Sequence, residues 1–304
     1  PRPPLPILGE GETESDVLRA DLRRVYRKLP LSQYWERGPG GEGRQGTTPN
    51  PTHEHERTTT MQPNAVKAAL TQGKAVSGPI ISEIRTTGGV KLMANAGFDF
   101  LFFDTEHAMY EMDTILNLVQ MSLVAGICPL VRPTDNTYAL VARAMDAGAQ
   151  GVIIPRVETA EQAADAVSYA KYPPLGRRGA GGDGRNGYAK ISALEAVETS
   201  NAESMVILQI ESQLGVDNVD AIAATAGVDV LLIGPQDLSI SLGVHGDFSH
   251  PTFLDAAQKV VDACNRHGKA SGMVEKDPES FRRWHEMGMR FLVCDSDSNM
   301  LYAG

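Results

Sequence analysis

From Pro63 onward, short apolar runs alternate with longer amphipathic stretches almost to the end of the chain. Runs of four to seven residues bounded by turn signals predict strands over Ala75–Ile81, Phe98–Phe103, Ile127–Val131 and Gly151–Ile154. The same pattern predicts four more over Met205–Ile210, Val228–Ile233, Lys269–Val274 and Arg290–Cys294. Apolar residues at helical spacing predict helices over Pro63–Thr71, Thr87–Ala96, Asp113–Ala125, Thr137–Ala147 and Thr159–Ala170. Further helices are predicted over Ser192–Ser200, Pro251–His267 and Pro278–Met287. Between the fifth and sixth strands, Leu214, Val216, Val219, Ile222 and Ala223 fall on roughly one side of another helix. Strict β/α alternation with eight strands predicts a (β/α)₈ barrel of the TIM type. A doubly wound open sheet is the alternative, but the Ser82–Gly89 stretch SEIRTTGG is a poor match to its usual Gly-rich turn. Only Ser296–Gly304 follows the eighth strand, too little for a full closing helix, so a truncated C-terminus or a helix supplied otherwise is expected.

Residues 1–60 break the pattern. Gly and Pro fill 15 of these 60 positions, against 33 of the remaining 244. Only Asp16–Leu29 has helical spacing, and the rest reads as disordered. His53 and His55, among Glu and Thr, read as solvated side chains rather than a metal tract. Met61 begins a sequence of different character, so residues 1–60 are expected to be a dispensable or upstream-translated extension and 61–304 the barrel domain. The segment is charge-balanced, which leaves the whole net charge of −10 on residues 61–304. Such an acidic chain argues against a nucleic-acid surface. No run approaches the roughly 20 apolar residues of a membrane span. Cys128, Cys264 and Cys294 are odd in number and lie in or near apolar runs, which fits reduced, buried thiols in a cytoplasmic protein.

In a barrel the C-terminal strand ends share one rim, where catalytic groups gather. That rim offers Asp104, Glu106 and His107 after the second strand, and Arg132 after the third. Gln209 and Glu211 stand at the fifth, and Gly234-Pro235-Gln236-Asp237 follows the sixth. The fifth and sixth strands form a β-α-β unit, so Glu211 and Asp237 should converge. Two hard carboxylates with no Cys or His beside them suit Mg²⁺ or Mn²⁺. An Arg can grip an anion with two prongs, and a His moves protons near neutral pH. The Gly-Pro turn presents free backbone N–H groups to a small carboxylate. Each has a plainer reading: acids after strands are common, a His is often satisfied structurally, and Asp146 in AMDAGAQ reads as a solvated charge. The coincidence on one rim carries the functional reading, a metal-bound 2-oxo acid whose enolate is stabilised. No lysine ends one of the predicted strands, which fits chemistry without a Schiff base.

The motifs FDFLFFDTEHA, PLVRP, AMDAGAQGVIIPRVETAEQA, YPPLGRRG, LQIES and IGPQDLSISLG resemble the HpcH/HpaI aldolase family, and the match runs from about Ala65 to Tyr302. The resemblance implies a class II pyruvate aldolase on a (β/α)₈ barrel, using a divalent cation (Mg²⁺, Mn²⁺ or Co²⁺). It implies Glu211 and Asp237 as metal ligands and Arg132 as the grip on pyruvate and its enolate. It implies His107 as the proton-transfer group, oriented by Asp146, and Gln209 as a substrate contact. Gln236 and Asp237 would offer amides to the pyruvate carboxylate, and Asp104 would lie near the aldehyde end. It also implies a homo-oligomer, a hexamer of dimers that exchange their last helix. Thr105, Glu83 and Arg85 depart from the family pattern on the side of the variable aldehyde. The alternatives are an acyl-CoA lyase of the citramalyl- or malyl-CoA type, which Arg177, Arg178 and Arg185 would serve, and a non-catalytic oxo-acid-binding barrel.

Overall fold

Alternation inside each apolar run decides which way its side chains face, and eight such runs close the sheet on itself. The computed structural model describes residues 62–182, 184–188 and 190–303. The expectations for residues 1–60 lie outside that range. The strands are β1 (Val76–Ile81), β2 (Phe100–Asp104), β3 (Cys128–Arg132), β4 (Gly151–Ile154), β5 (Met205–Ile210), β6 (Val230–Ile233), β7 (Ala270–Glu275) and β8 (Phe291–Ser296). All pair in parallel in chain order, and β8 returns to β1, which makes the expected closed barrel. The helices are α1 (Ala65–Thr71), α2 (Thr87–Asn95), α3 (Met112–Ala125), α4 (Tyr138–Asp146), α5 (Ala160–Ala170) and α6 (Ala193–Glu203). They continue with α7 (Gln213–Asp217), α8 (Val219–Ala224), α9 (Pro235–Ser241), α10 (Pro251–His267), α11 (Pro278–Met287) and α12 (Asp297–Ala303).

Most predicted boundaries shift by one or two residues. The helix expected between β5 and β6 is two pieces, α7 and α8, divided at Asn218, whose side-chain amide donates to the Glu158 carbonyl. After β8 the chain does form a helix, α12, only seven residues long.

One parity of the strands fills the barrel. Phe100, Phe102, Leu130, Ile207, Leu232 and Val293 belong to this inner cluster, while Leu101, Phe103, Val131, Leu208 and Ile233 pack outward against the helices. Each fully buried side chain of this kind contributes about 1.5–3 kcal/mol. Phe100 and Phe291 stack at 4.5 Å within this inner cluster and plug the end where their strands begin. The opposite end is left to polar residues. There buried Asp297 accepts from the backbone N–H groups of Ser82, Glu83 and Ile84 and from the Ser82 hydroxyl, tying the loop after β1 to the end of β8. Cys128, Cys264 and Cys294 are buried, as expected. Among the described residues no helix is long and apolar enough to cross a membrane.

Candidate active site

The inward parity does not stop where the apolar residues stop. On β2 it runs Phe100, Phe102, Asp104; on β3, Cys128, Leu130, Arg132; on β5, Met205, Ile207, Gln209, and then Glu211. Asp104 and Arg132 are also register partners, so their side chains meet side by side at the barrel mouth. The Arg132 guanidinium donates to both Asp104 oxygens, Nε at 2.9 Å and Nη2 at 2.7 Å. Its Nη1 donates to Gln209 Oε1 at 3.1 Å and lies 3.3 Å from Glu106. Gln209 Nε2 in turn donates to Glu211 Oε2 at 3.2 Å, and the Arg156 backbone N–H donates to Glu211 Oε1 at 2.6 Å. A continuous polar chain thus runs from Asp104 to Glu211 and fixes the Arg132 fork. The Phe102 ring lies under it, 5.1 Å from the guanidinium carbon.

Glu211 owes its place partly to Gly234, where a Cβ would stand 2.4 Å from Glu211 Oε2. Gly234 is the N-cap of α9 and gives no side-chain cap, so the first-turn amides of Gln236 and Asp237 have no side-chain capping partner. His107, Arg132, Gln209, Glu211, Gln236 and Asp237 line one cavity of about 290 Å³, together with Ile80, Phe102, Phe248 and Lys276.

The charge in this mouth is unbalanced. Burial pushes the Glu211 carboxyl up to about 7; the Arg156 amide and Arg132 oppose the shift, and neighbouring Glu106 and Asp237 add to it. Burial pushes Asp104 upward as well, but its bonds to Arg132 and the amides of Glu106 and His107 hold it below the usual range. An acid forced that high beside a second carboxylate fits a place for a cation with oxygen preference. Among the described residues no cluster of three or more His, Cys, Asp or Glu forms a cage, so Glu211 and Asp237 would leave most coordination positions open.

Three expected placements change. Asp104 does not line the cavity: it stands behind Arg132, and its oxygens accept from that side chain and from the Glu106 and His107 amides. Asp146 does not meet His107 within the chain. It closes α4 at the end leading into β4, away from the mouth, and its carboxylate accepts from Arg178 at 2.6 Å. The His107 ring, 66% exposed, instead has Glu106 at 3.8 Å. The third concerns lysine. β7 continues through Glu275, one residue past the predicted end, and Lys276 follows it into the cavity wall. Two of the arginines that favoured a nucleotide-bearing substrate are engaged elsewhere. Arg178 is buried on Asp146 and over Tyr172, and Arg177 stacks on Tyr169.

Two further residues escaped the sequence reading. Arg156 follows Pro155 in a left-handed conformation (φ 53°) and reaches Glu106 at 3.5 Å. Glu106, read as a rim residue without a role, holds Arg132, Arg156 and His107 about itself.

Residues 89–302 match the family model described as HpcH/HpaI aldolase/citrate lyase. A 5-keto-4-deoxy-D-glucarate aldolase from Shigella boydii is 37% identical over 243 residues, covering 77% of this chain and 91% of that protein. The crystal structure of an HpcH/HpaI aldolase from Desulfitobacterium hafniense superposes with a TM-score of 0.75 at 35% identity, over 78% of this chain and 92% of that one. A second, a family protein from Burkholderia cenocepacia, gives 0.74 at 34%, over 79% and 95%. The barrel, its charged mouth and these likenesses agree: the chain belongs to the HpcH/HpaI aldolase/citrate lyase family of carbon–carbon lyases.

Proposed function

We infer that the chain catalyses reversible, metal-dependent aldol cleavage of a 4-hydroxy-2-oxo acid to pyruvate and an aldehyde. The observation that carries this reading is the Arg132 fork, fixed by Asp104 and Gln209 in one cavity with the Glu211 and Asp237 carboxylates. Glu211 and Asp237 would hold a divalent cation, with Mg²⁺, Mn²⁺ or Co²⁺ suited to the oxygen donors, which supplies Lewis-acid polarisation of the 2-oxo group. Arg132 stabilises the negative charge that develops on the enolate oxygen as the C3–C4 bond breaks. The uncapped amides of Gln236 and Asp237 seat the pyruvate carboxylate, and Gln209 orients Arg132 between them. His107, exposed at the mouth with Glu106 beside its ring, takes the proton of the 4-hydroxyl. Pairing of His107 with Asp146 would require a second copy of the chain. Exposed Leu301 and Tyr302 on α12 support self-association, checked by sedimentation at micromolar concentration. Burial of all three cysteines among apolar residues supports a cytoplasmic site of action.

The test is a pyruvate-release assay on a panel of 4-hydroxy-2-oxo acids that includes 5-keto-4-deoxy-D-glucarate. Release that stops in chelator and returns with added cation is expected. Release from none of them contradicts the reading.

A further inference from the structure

Lys276 has no part in the enolate chemistry derived above, yet it stands in the same cavity. Its position follows from strand parity. On β7 the inward series is Ala270, Gly272, Val274, and Ala270 and Val274 pack on the inner cluster. Lys276 is next in that series, as Arg132 is on β3 and Glu211 is after β5. In a closed eight-stranded ring β7 lies opposite β3, so Lys276 faces the Arg132 side across the mouth.

The two walls of the cavity are chemically different. Arg132, Gln209, Glu211 and Asp237 come from β3, β5 and the turn after β6 and account for the pyruvate half. The wall from β1 and β7 offers Ile80, Val274, Glu275 and Lys276. Glu275 belongs to the outward parity, and its oxygens accept from the Lys276 and Asp277 amides and from Trp284 Nε1. That carboxylate is thus tied into its own turn and to α11, where it fixes the Lys276 backbone. Among the described residues no carboxylate lies within ion-pair distance of the Lys276 ammonium, whereas Arg132 already holds Asp104 and Glu106. Lys276 is exposed, so its charge is available to whatever fills this half of the cavity.

We propose that Lys276 is the specificity-determining residue of the aldehyde half, receiving a carboxylate borne by the aldehyde, so that the acceptor is an aldehyde acid. The proposal rests on the aldolase reading and deepens it. The substrate named for the Shigella boydii relative has this form: counted from the keto end it is a 2-oxo-4-hydroxy diacid. Cleavage of its C3–C4 bond, with loss of the 4-hydroxyl proton and protonation of C3, gives pyruvate and 2-hydroxy-3-oxopropanoate.

The experiment measures kcat/KM for addition of pyruvate to 2-hydroxy-3-oxopropanoate and to glyceraldehyde, its near-isosteric neutral counterpart. It uses full-length protein with added Mg²⁺ or Mn²⁺, as wild type, Lys276→Met and Lys276→Arg. Exchange of the pyruvate methyl protons in deuterated water is followed in parallel, because it needs the enolate and no aldehyde. Lys276→Met is expected to lose about tenfold on the acid, the scale of one charge-assisted contact, and nothing on glyceraldehyde or exchange. Lys276→Arg is expected to recover the acid preference. Equal losses on both aldehydes, or an unchanged ratio, overturn the proposal while exchange keeps the aldolase reading intact. Borohydride trapping of pyruvate on Lys276 also overturns it, since the lysine would then be a nucleophile. A wild type that neither exchanges pyruvate protons nor makes adduct removes the aldolase reading and this proposal together.

Discussion

The two ends of the barrel both carry buried or half-buried charge, and they settle it differently. Where the strands begin there is a hollow of about 420 Å³, larger than the cavity at the mouth. Among its charges, Lys67 pairs with Asp229 at 3.3 Å and donates to the Ser204 carbonyl, Arg290 donates to the carbonyls of His285 and Met289, and Lys269 lines the same hollow. At the mouth Asp104 and Glu106 hold Arg132, Glu106 also reaches Arg156, and Glu211 stands beside the charges of Glu106 and Asp237 and is pushed to about 7. Folding alone gains nothing from such an excess, since a forced acid costs stability wherever it must ionise. We place the site in the smaller cavity because Glu211 and Asp237 share its wall and one of them is forced up to about 7, and cavity size is the weaker guide.

The sharpest way to break this comparison is to remove groups at the mouth and ask which reaction fails. Arg132→Ala is expected to lose about 10²–10³-fold in turnover wherever pyruvate enolate forms, by analogy with a missing oxyanion donor. His107→Ala is expected to lose about 10²–10⁴-fold in aldol cleavage, the scale of general acid–base catalysis. It should spare oxaloacetate decarboxylation, which has no 4-hydroxyl. The ratio of the two activities in each variant is the measurement. Equal losses in His107→Ala, or decarboxylation spared by Arg132→Ala, break the division of labour.

At the other end the expected effects fall on stability. His285 is buried, both its ring nitrogens lack a hydrogen-bond partner among the described residues, and burial with nearby Arg290 lowers its pKa to about 4. The unfolded chain takes up that proton near the ordinary value of 6.5 and the folded chain does not. Stability should therefore fall as pH drops from about 6.5 to about 4, by about 3 kcal/mol in all, and then level off. Urea unfolding against pH reads this limb, and His285→Leu should flatten it. A smaller change is expected from Lys67→Met, which removes a half-exposed ion pair worth about 1 kcal/mol or less. A slightly lower Tm with unchanged turnover would place that pair with the fold; a loss of turnover would blur the contrast between the ends.

How much of this was legible in the sequence follows from strand parity. Asp104, Arg132, Gln209 and Glu211 each stand in register with an apolar series, so a period of two delivers them to the mouth. Lys276 obeys the same rule but was hidden by a boundary, because Val274-Glu275-Lys276 turns charged before the strand ends. Asp146 sits at a helix end, where the strand period says nothing, and its geometry depends on Arg178 from a distant loop. Arg156 was missed for another reason: a left-handed residue after Pro155 redirects the chain, and no propensity marks an Arg for that conformation. The division of one expected helix into α7 and α8 depends on the bond from Asn218 to the Glu158 carbonyl, a tertiary contact outside the periodic pattern.

The central claim is that the excess acid at the mouth exists to hold one divalent cation on which cleavage depends. Titrating Mn²⁺ into metal-stripped protein, with pyruvate release followed in the same samples, tests it most directly. Release should rise in proportion to one bound cation per chain, and binding should weaken as pH falls below about 7, where a proton competes for Glu211. Glu211→Gln should abolish both signals. Full release from stripped protein, or equal Mn²⁺ binding by Glu211→Gln, would contradict the account.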